Sequence, residues 1–354
     1  ATKIEWLCTE SDPEWAGTTI SFELSEKRGR TDILLRHMNW KEVTTYLAAA
    51  HGVLTGAGLS RLPIHEMAGM TGMAFQFIMH KHCDAAAVTV YDWVRRHQDA
   101  LDRIGVLSEI YHYEPGAQTY EAARSRAVHQ MKRSIDRGAG VIVWGVDTGE
   151  FGVVYGYDDE DGILMADGVH KFNRPLGSDP ILYQNIGKTF APAPFLHYQI
   201  PLESVAYDLE RSYADSLKFY VHEMEKEFHM APDFKSGFLA YEIWLQSLES
   251  GTFNPFGLRY CTTVYAESKC FAAEYLRTLE RTWGGAKGLK DISDHFNEIA
   301  GLYRSMMDAL EQDWDGGKHL GKAVAQEQAK RIIPLLQQAK GLENRAVQLI
   351  KEAL

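Results

Sequence analysis

The chain has 354 residues, 45% of them hydrophobic and 24% charged, with a formal net charge of −11. That length supports one large core or two smaller ones, and the acidic total argues against a general binder of nucleic acid or anionic membrane. Four cysteines without a short repeated spacing exclude a disulfide-stapled scaffold, and no apolar run approaches the ~20 residues that cross a bilayer, so a cytoplasmic protein with reduced thiols is the expectation.

Glu5 to Cys8 reads as a short strand. Thr18 to Leu24 alternates, with Ile20, Phe22 and Leu24 on one face and Thr19, Ser21 and Glu23 on the other. The polar turn Lys27-Arg28-Gly29-Arg30 and a return strand from Thr31 to Arg36 complete a hairpin. From Trp40 the period becomes helical: Val43, Tyr46, Leu47, Ala50, Val53 and Leu54 recur on one face until Gly56 and Gly58 end it. Pro63 and Glu66 open a short helical piece, with Gly69 and Gly72 permitting close backbone approach. Phe75, Phe77 and Ile78 suggest a buried strand or helix start, and Thr89 to His97 looks helical.

Tyr120 to Arg137 makes a helix with an i,i+4 apolar pair, Met131 and Ile135, stopped by Gly138 and Gly140. The continuously apolar Val141 to Trp144 reads as a buried strand. Phe151 to Tyr155 and Ile163 to Ala166 follow as strands around an acidic turn, Asp158 to Gly162. Pro175, Pro180, Pro192, Pro194 and Pro201 divide residues 168–201 into loops and short extended pieces. Beyond them helices are expected over 201–228, 234–250, 259–283, 289–313 and 318–353. The helix from 259 has a broad apolar face including Tyr260, Tyr265 and Tyr275, with Glu267, Lys269 and Glu274 at its wetter edges. The fold class is therefore α+β. A hairpin segment (1–40) precedes a mixed helix and antiparallel-sheet domain (41–200) and a helical domain (201–354).

The pieces Gly56 to Leu59, Glu66 to Gly72, the helix before Gly138, and Val153-Val154-Tyr155-Gly156-Tyr157-Asp158 resemble the family of butirosin biosynthesis protein H. That family's fold is similar to papain-like and C39-type cysteine peptidases. The resemblance implies a nucleophilic cysteine near the start of the helix preceding Gly58, where this sequence has Val43, Thr44, Thr45 and Tyr46. It implies a histidine before the strand leading to Gly156-Tyr157-Asp158, where Glu150 and Phe151 stand. Only the third catalytic position has a survivor, Asp167. Residues Pro13-Glu14-Trp15, Gly17-Thr18, the hairpin, and His37 to Trp40 also look like the C-terminal part of an SRPBCC helix-grip domain.

Without a polarised thiol and its imidazole partner the family's covalent step has no agent. The catalytic candidates that remain are Glu150 and Asp167, which a tight turn would bring to one sheet edge, and Cys83 as a relocated nucleophile. Trp144, Asp147, Glu150, Tyr157, Asp167 and His170 are the ligand-binding candidates, combining aromatic area with carboxylates that favour a cation. His80, His82 and Asp84 would align as metal ligands if their segment were a strand, although no resident cofactor is expected. The Phe253-Asn254-Pro255-Phe256-Gly257 loop is placed to close over the cleft.

The function expected is small-molecule binding or regulation on a catalytically degenerate cysteine-peptidase-like fold, with a small polar or amine-bearing molecule as partner. An acyltransferase or amide hydrolase of secondary metabolism with a relocated nucleophile is the enzymatic alternative, and a homo-oligomeric scaffold the structural one. Neither nucleic acid nor membrane is an expected partner.

Overall fold

A computed structural model describes residues 2–7, 19–27, 30–38, 43–146, 149–168, 180–188, 194–226, 231–284, 287–311 and 322–354. The N-terminal segment forms a three-stranded antiparallel sheet of β1 (Thr2–Leu7), β2 (Thr19–Lys27) and β3 (Arg30–Met38), in that order. The expected hairpin is its β2–β3 half, closing at the Lys27 to Arg30 pair. Residues 13–18 and 39–40, which carry most of the helix-grip likeness, lie outside the described residues.

The main sheet has six antiparallel strands in the order β5 (Val106–Tyr113), β10 (Leu196–Ser204), β6 (Val141–Trp144), β7 (Phe151–Asp158), β8 (Ile163–Gly168) and β9 (Ile181–Leu182). Alternation along β6 sorts its side chains between two layers. Val141 and Val143 pack with α4 (Tyr120–Asp136), while Ile142 and Trp144 join the core beneath α1 (Thr45–Gly56), α2 (Ile64–Thr71) and α3 (Trp93–Arg103). A two-stranded sheet pairs β4 (Ile78–His80) with β11 (Phe234–Ser236). The remaining helices are α5 (Leu209–Glu225), α6 (Gly237–Ser250), α7 (Pro255–Thr282), α8 (Leu289–Glu311) and α9 (Lys322–Ala353).

Two strands depart from the sequence expectation. Residues 106–113 form an edge strand although their polar residues hide the alternation, and the segment from Leu196 forms a nine-residue strand in place of loops. Pro201 is tolerated there for a local reason. β6 pairs with β10 only at Tyr198 and Gln199, so Pro201 has a single neighbouring strand, and the register shifts between Pro201 and Glu203. The first C-terminal helix consequently starts at Leu209, where the Asp208 side chain accepts from Arg211 N.

The apolar core does not divide at residue 201. One cluster of buried side chains extends from Tyr46 on α1 through Trp144 and Phe151 on the sheet to Ile350 on α9. The glycines of α2 make the junction close. A Cβ at Gly69 would fall 2.0 Å from the Tyr275 ring of α7, and Gly72 ends α2 at φ +81° against Phe219 of α5. Among the described residues, no helix is long and apolar enough to cross a membrane.

Candidate functional site

The N-terminus of α1 meets the start of β7, so the residues at the resemblance's nucleophile and imidazole positions are neighbours. Phe151 N donates to Thr45 Oγ1 at 3.2 Å. A helix start leaves N–H groups without intrahelical partners, and here Thr44 provides no side-chain cap. Glu267 of α7 instead holds the residues leading into the helix: its two carboxylate oxygens accept from Val43 N at 2.8 Å and Thr44 N at 2.7 Å. The Thr44 hydroxyl is buried with no hydrogen-bond partner among the described residues.

The residue at the resemblance's imidazole position, Glu150, also has a partner from α7. Tyr260, on the first turns of α7, donates its hydroxyl to Glu150 Oε1 at 2.5 Å. Phe256, 54% exposed, stacks on Tyr260 one turn further along α7, so Pro255, Phe256 and Gly257 form the first turn of that helix and not a loop. Lys269 corrects the expectation of wet edges. Glu267 is half-buried and holds the residues leading into α1, and Lys269 is 1% exposed, paired with Glu343 of α9. Glu274 alone is at an open edge.

The other sequence candidates separate. Asp167 sits opposite Val153, three residues along β7 from Glu150, and Asp167 Oδ1 accepts from Gly168 N. Both carboxylates thus occupy one end of the sheet, roughly 10 Å apart along the strand direction. Tyr157 lies at the other end of β7, roughly 20 Å away by the same rise, where its hydroxyl donates to Asp136. Trp144 is 5% exposed and packs edge-on against Phe151, a core position. Asp147 and His170 lie outside the described residues.

Cys83 is fully buried between α6 and α7. Its thiol contacts Ser247 Oγ at 3.8 Å, and burial pushes its pKa up to about 12. It is a protonated core thiol, remote from an imidazole hydrogen bond. The metal alignment also fails on local geometry. β4 ends at His80, His82 lies in the turn beyond it, and Asp84 is turned to cap Ala86 N at 2.8 Å. No group of three or more possible ligands converges among the described residues.

A different set of polar groups does converge, and nothing in local spacing announced it. Tyr91 OH contacts His97 Nε2 at 3.0 Å, His97 Nδ1 contacts His197 Nε2 at 3.1 Å, and His197 Nδ1 contacts His112 Nδ1 at 3.2 Å. His112 Nε2 then reaches Glu114 Oε1 at 3.2 Å, at the exposed end. One proton arrangement satisfies the whole chain with neutral rings: Tyr91 donates to His97, His97 to His197, His197 to His112, and His112 to an ionised Glu114.

The sheet and α1 hold this chain in place. His197 and His112 are direct cross-strand partners on β10 and β5. The Tyr46 ring of α1 stacks on His97 with centroids 3.6 Å apart, and its hydroxyl donates to Gln199 at 2.7 Å. Trp93 packs edge-on against both His112 and His197. Burial, with His197 and Arg96 adding repulsion, holds the His97 pKa well below its ordinary value, and burial beside His112 takes His197 down to about 3.

Tyr91 also lines a cavity of 780 Å³ between α3 and α5, with β4 and β11 at its side. Its charges are mostly matched. Arg96 and Lys226 both meet Glu223 at 2.9 Å, and Lys218 meets Asp215 at 3.3 Å. Burial pushes Glu223 upward, but Arg96 and Lys226 together outweigh it and hold the carboxyl below its ordinary range. The sequence signal for this site was the charge pattern of α3, Asp92-Trp93-Val94-Arg95-Arg96, continued by Asp99 and Arg103, which reads in isolation as a solvated helix face. No protein-family model and no curated protein matches the chain.

Proposed function

We propose that this protein binds a small molecule, in a metabolic or regulatory role, on a cysteine-peptidase-like scaffold that has given up covalent chemistry. The observation that carries this reading is the carboxylate of Glu267, which accepts from the backbone N–H groups of Val43 and Thr44, the two residues leading into α1. A helix N-terminus stabilises a thiolate or a developing oxyanion through its free N–H groups and its positive dipole end. With Glu267 held at the entrance to α1, a second anion meets like charge. Val43, Thr44 and Thr45 offer no thiol, and Glu150, tied to Tyr260, replaces the imidazole.

Binding capacity is then sought in the α3–α5 cavity, whose size falls in the range of small-molecule sites. The test has two arms on the purified protein. Incubation with an acyl-pantetheine thioester is expected to give no acyl adduct by mass spectrometry and no thioester cleavage above buffer. A thermal-shift screen of metabolites is expected to find compounds that raise Tm. Acylation of Cys83, with cleavage abolished by Cys83→Ala, would instead establish the relocated-nucleophile acyltransferase.

A further inference from the structure

We infer that the cavity between α3 and α5 is a site for a small organic monoanion, a carboxylate on an apolar body, with Arg103 as its anchor. The inference deepens the small-molecule reading above and rests on it.

Charge matching in the cavity leaves Arg103 as the exception. Its Nη1 donates to Thr71 O at 3.0 Å, but it makes no ion pair among the described residues, whereas Arg96, Lys218 and Lys226 each do. Arg95 reaches Asp99 only at 3.9 Å and is largely solvated. The guanidinium carbons of Arg96 and Arg103 lie 4.2 Å and 4.5 Å from the centre of the same Phe219 ring. Two like charges therefore share one aromatic platform while only one is neutralised at contact distance. Burial and the neighbouring Arg96 both disfavour the charged form of Arg103, with Asp99, Asp215 and Glu223 compensating from farther away. An anion placed against Arg103 relieves that imbalance.

The lining also limits the ligand's charge and shape. Arg95, Arg96, Arg103, Lys218 and Lys226 face Asp92, Asp99, Asp215 and Glu223, five formal positive charges against four negative, within a chain that is −11 overall. An excess of one suits one negative charge. A dianion would overshoot it and meet those carboxylates. Ile78, Tyr91, Phe219 and Phe234 supply apolar wall, which a bare inorganic anion would leave without contact. A guanidinium presents paired N–H donors that match a carboxylate's two oxygens.

Isothermal titration of the full chain with a panel of aliphatic and aromatic monocarboxylates, each beside its primary amide and the corresponding amine, tests this. The expected result is saturable binding of at least one carboxylate, with its amide weaker by roughly tenfold or more. R103Q is expected to lower the carboxylate affinity by a similar factor and leave the amide unchanged. The rim variant K218Q, whose exposed side chain is not needed for folding, is expected to weaken the carboxylate by roughly two- to threefold. R345Q, an exposed arginine on α9 away from the cavity, is expected to change neither. Amide or amine binding as tight as the carboxylate, or carboxylate affinity unchanged in both R103Q and K218Q, overturns the anion assignment and leaves small-molecule binding standing. Failure of the whole panel overturns the assignment too, and an accompanying absence of any Tm shift in the metabolite screen removes the broader reading with it.

Discussion

His197 shows how a single buried residue couples this fold to pH. Its ordinary value is 6.5 and burial takes it to about 3, so between those limits the unfolded chain binds a proton that the folded chain refuses. Folding stability supplied by the neutral ring is therefore present above about pH 6.5 and is lost as pH falls toward 3. Between pH 7.5 and 5 the loss from this group is about 2 kcal/mol. Urea denaturation at the two pH values is expected to show that excess loss in the wild type and not in H197Q. Equal pH dependence of the two proteins would place the acid sensitivity elsewhere. His97 acts with the same sign, since its pKa is lowered for the same principal reason.

Among the elements, α1 and α7 depend on one another. The α1 N-terminus has its carboxylate from a residue 224 positions away, so removing it acts as the loss of a cap and a favourable dipole contact. E267A is expected to lower unfolding free energy by about 1–2 kcal/mol, and E267Q by less because one acceptor remains. Chemical denaturation with an unchanged m-value would check both. The α2–α7 contact has no room to spare: at Gly69 an added methyl would sit on the Tyr275 ring, which also hydrogen-bonds Ser216 at 2.8 Å. G69A is expected to cost about 1–3 kcal/mol despite alanine's better helix propensity, and a stabilised variant would show that the helices can part. Helix existence and the place of Gly69 were legible from period and glycine position. β5 and β10 were not, because Ser108, His112, His197 and Gln199 occupy inward positions that a hydrophobic alternation leaves polar.

At the scale of the molecule, α7 joins the sheet-bearing half to the terminal helices through a buried charge pair. Lys269 Nζ lies 2.5 Å from Glu343 Oε1 of α9, with the two side chains 1% and 0% exposed, as a close ion pair off the ideal hydrogen-bond direction. Tyr220 of α5 donates to the other carboxylate oxygen, and the Lys269 ammonium also lies 5.2 Å from the Phe77 ring centre. Breaking one member leaves an uncompensated buried charge. E343Q is therefore expected to cost about 3–5 kcal/mol, while K269M combined with E343L recovers a large part of it. Melting temperatures of the two variants decide the point: if the double variant is no better than E343Q, the pair is worth more than its desolvation.

Local patterns in the chain were enough for the α+β class, the helix over 45–56, the central hairpin around Asp158 to Gly162, and the succession of C-terminal helices. Each rests on contacts between residues close in sequence, where period, caps and glycine breaks act directly. Only tertiary packing decided that Glu267 would close α1, that Lys269 would be buried, that three histidines spread from 97 to 197 would form one hydrogen-bonded chain, and that Arg103 would face a cavity without an ion-pair partner among the described residues. Those outcomes depend on which strands pair and which helix faces meet, and a charged or imidazole side chain looks the same in sequence whether its partner is solvent or a residue far along the chain.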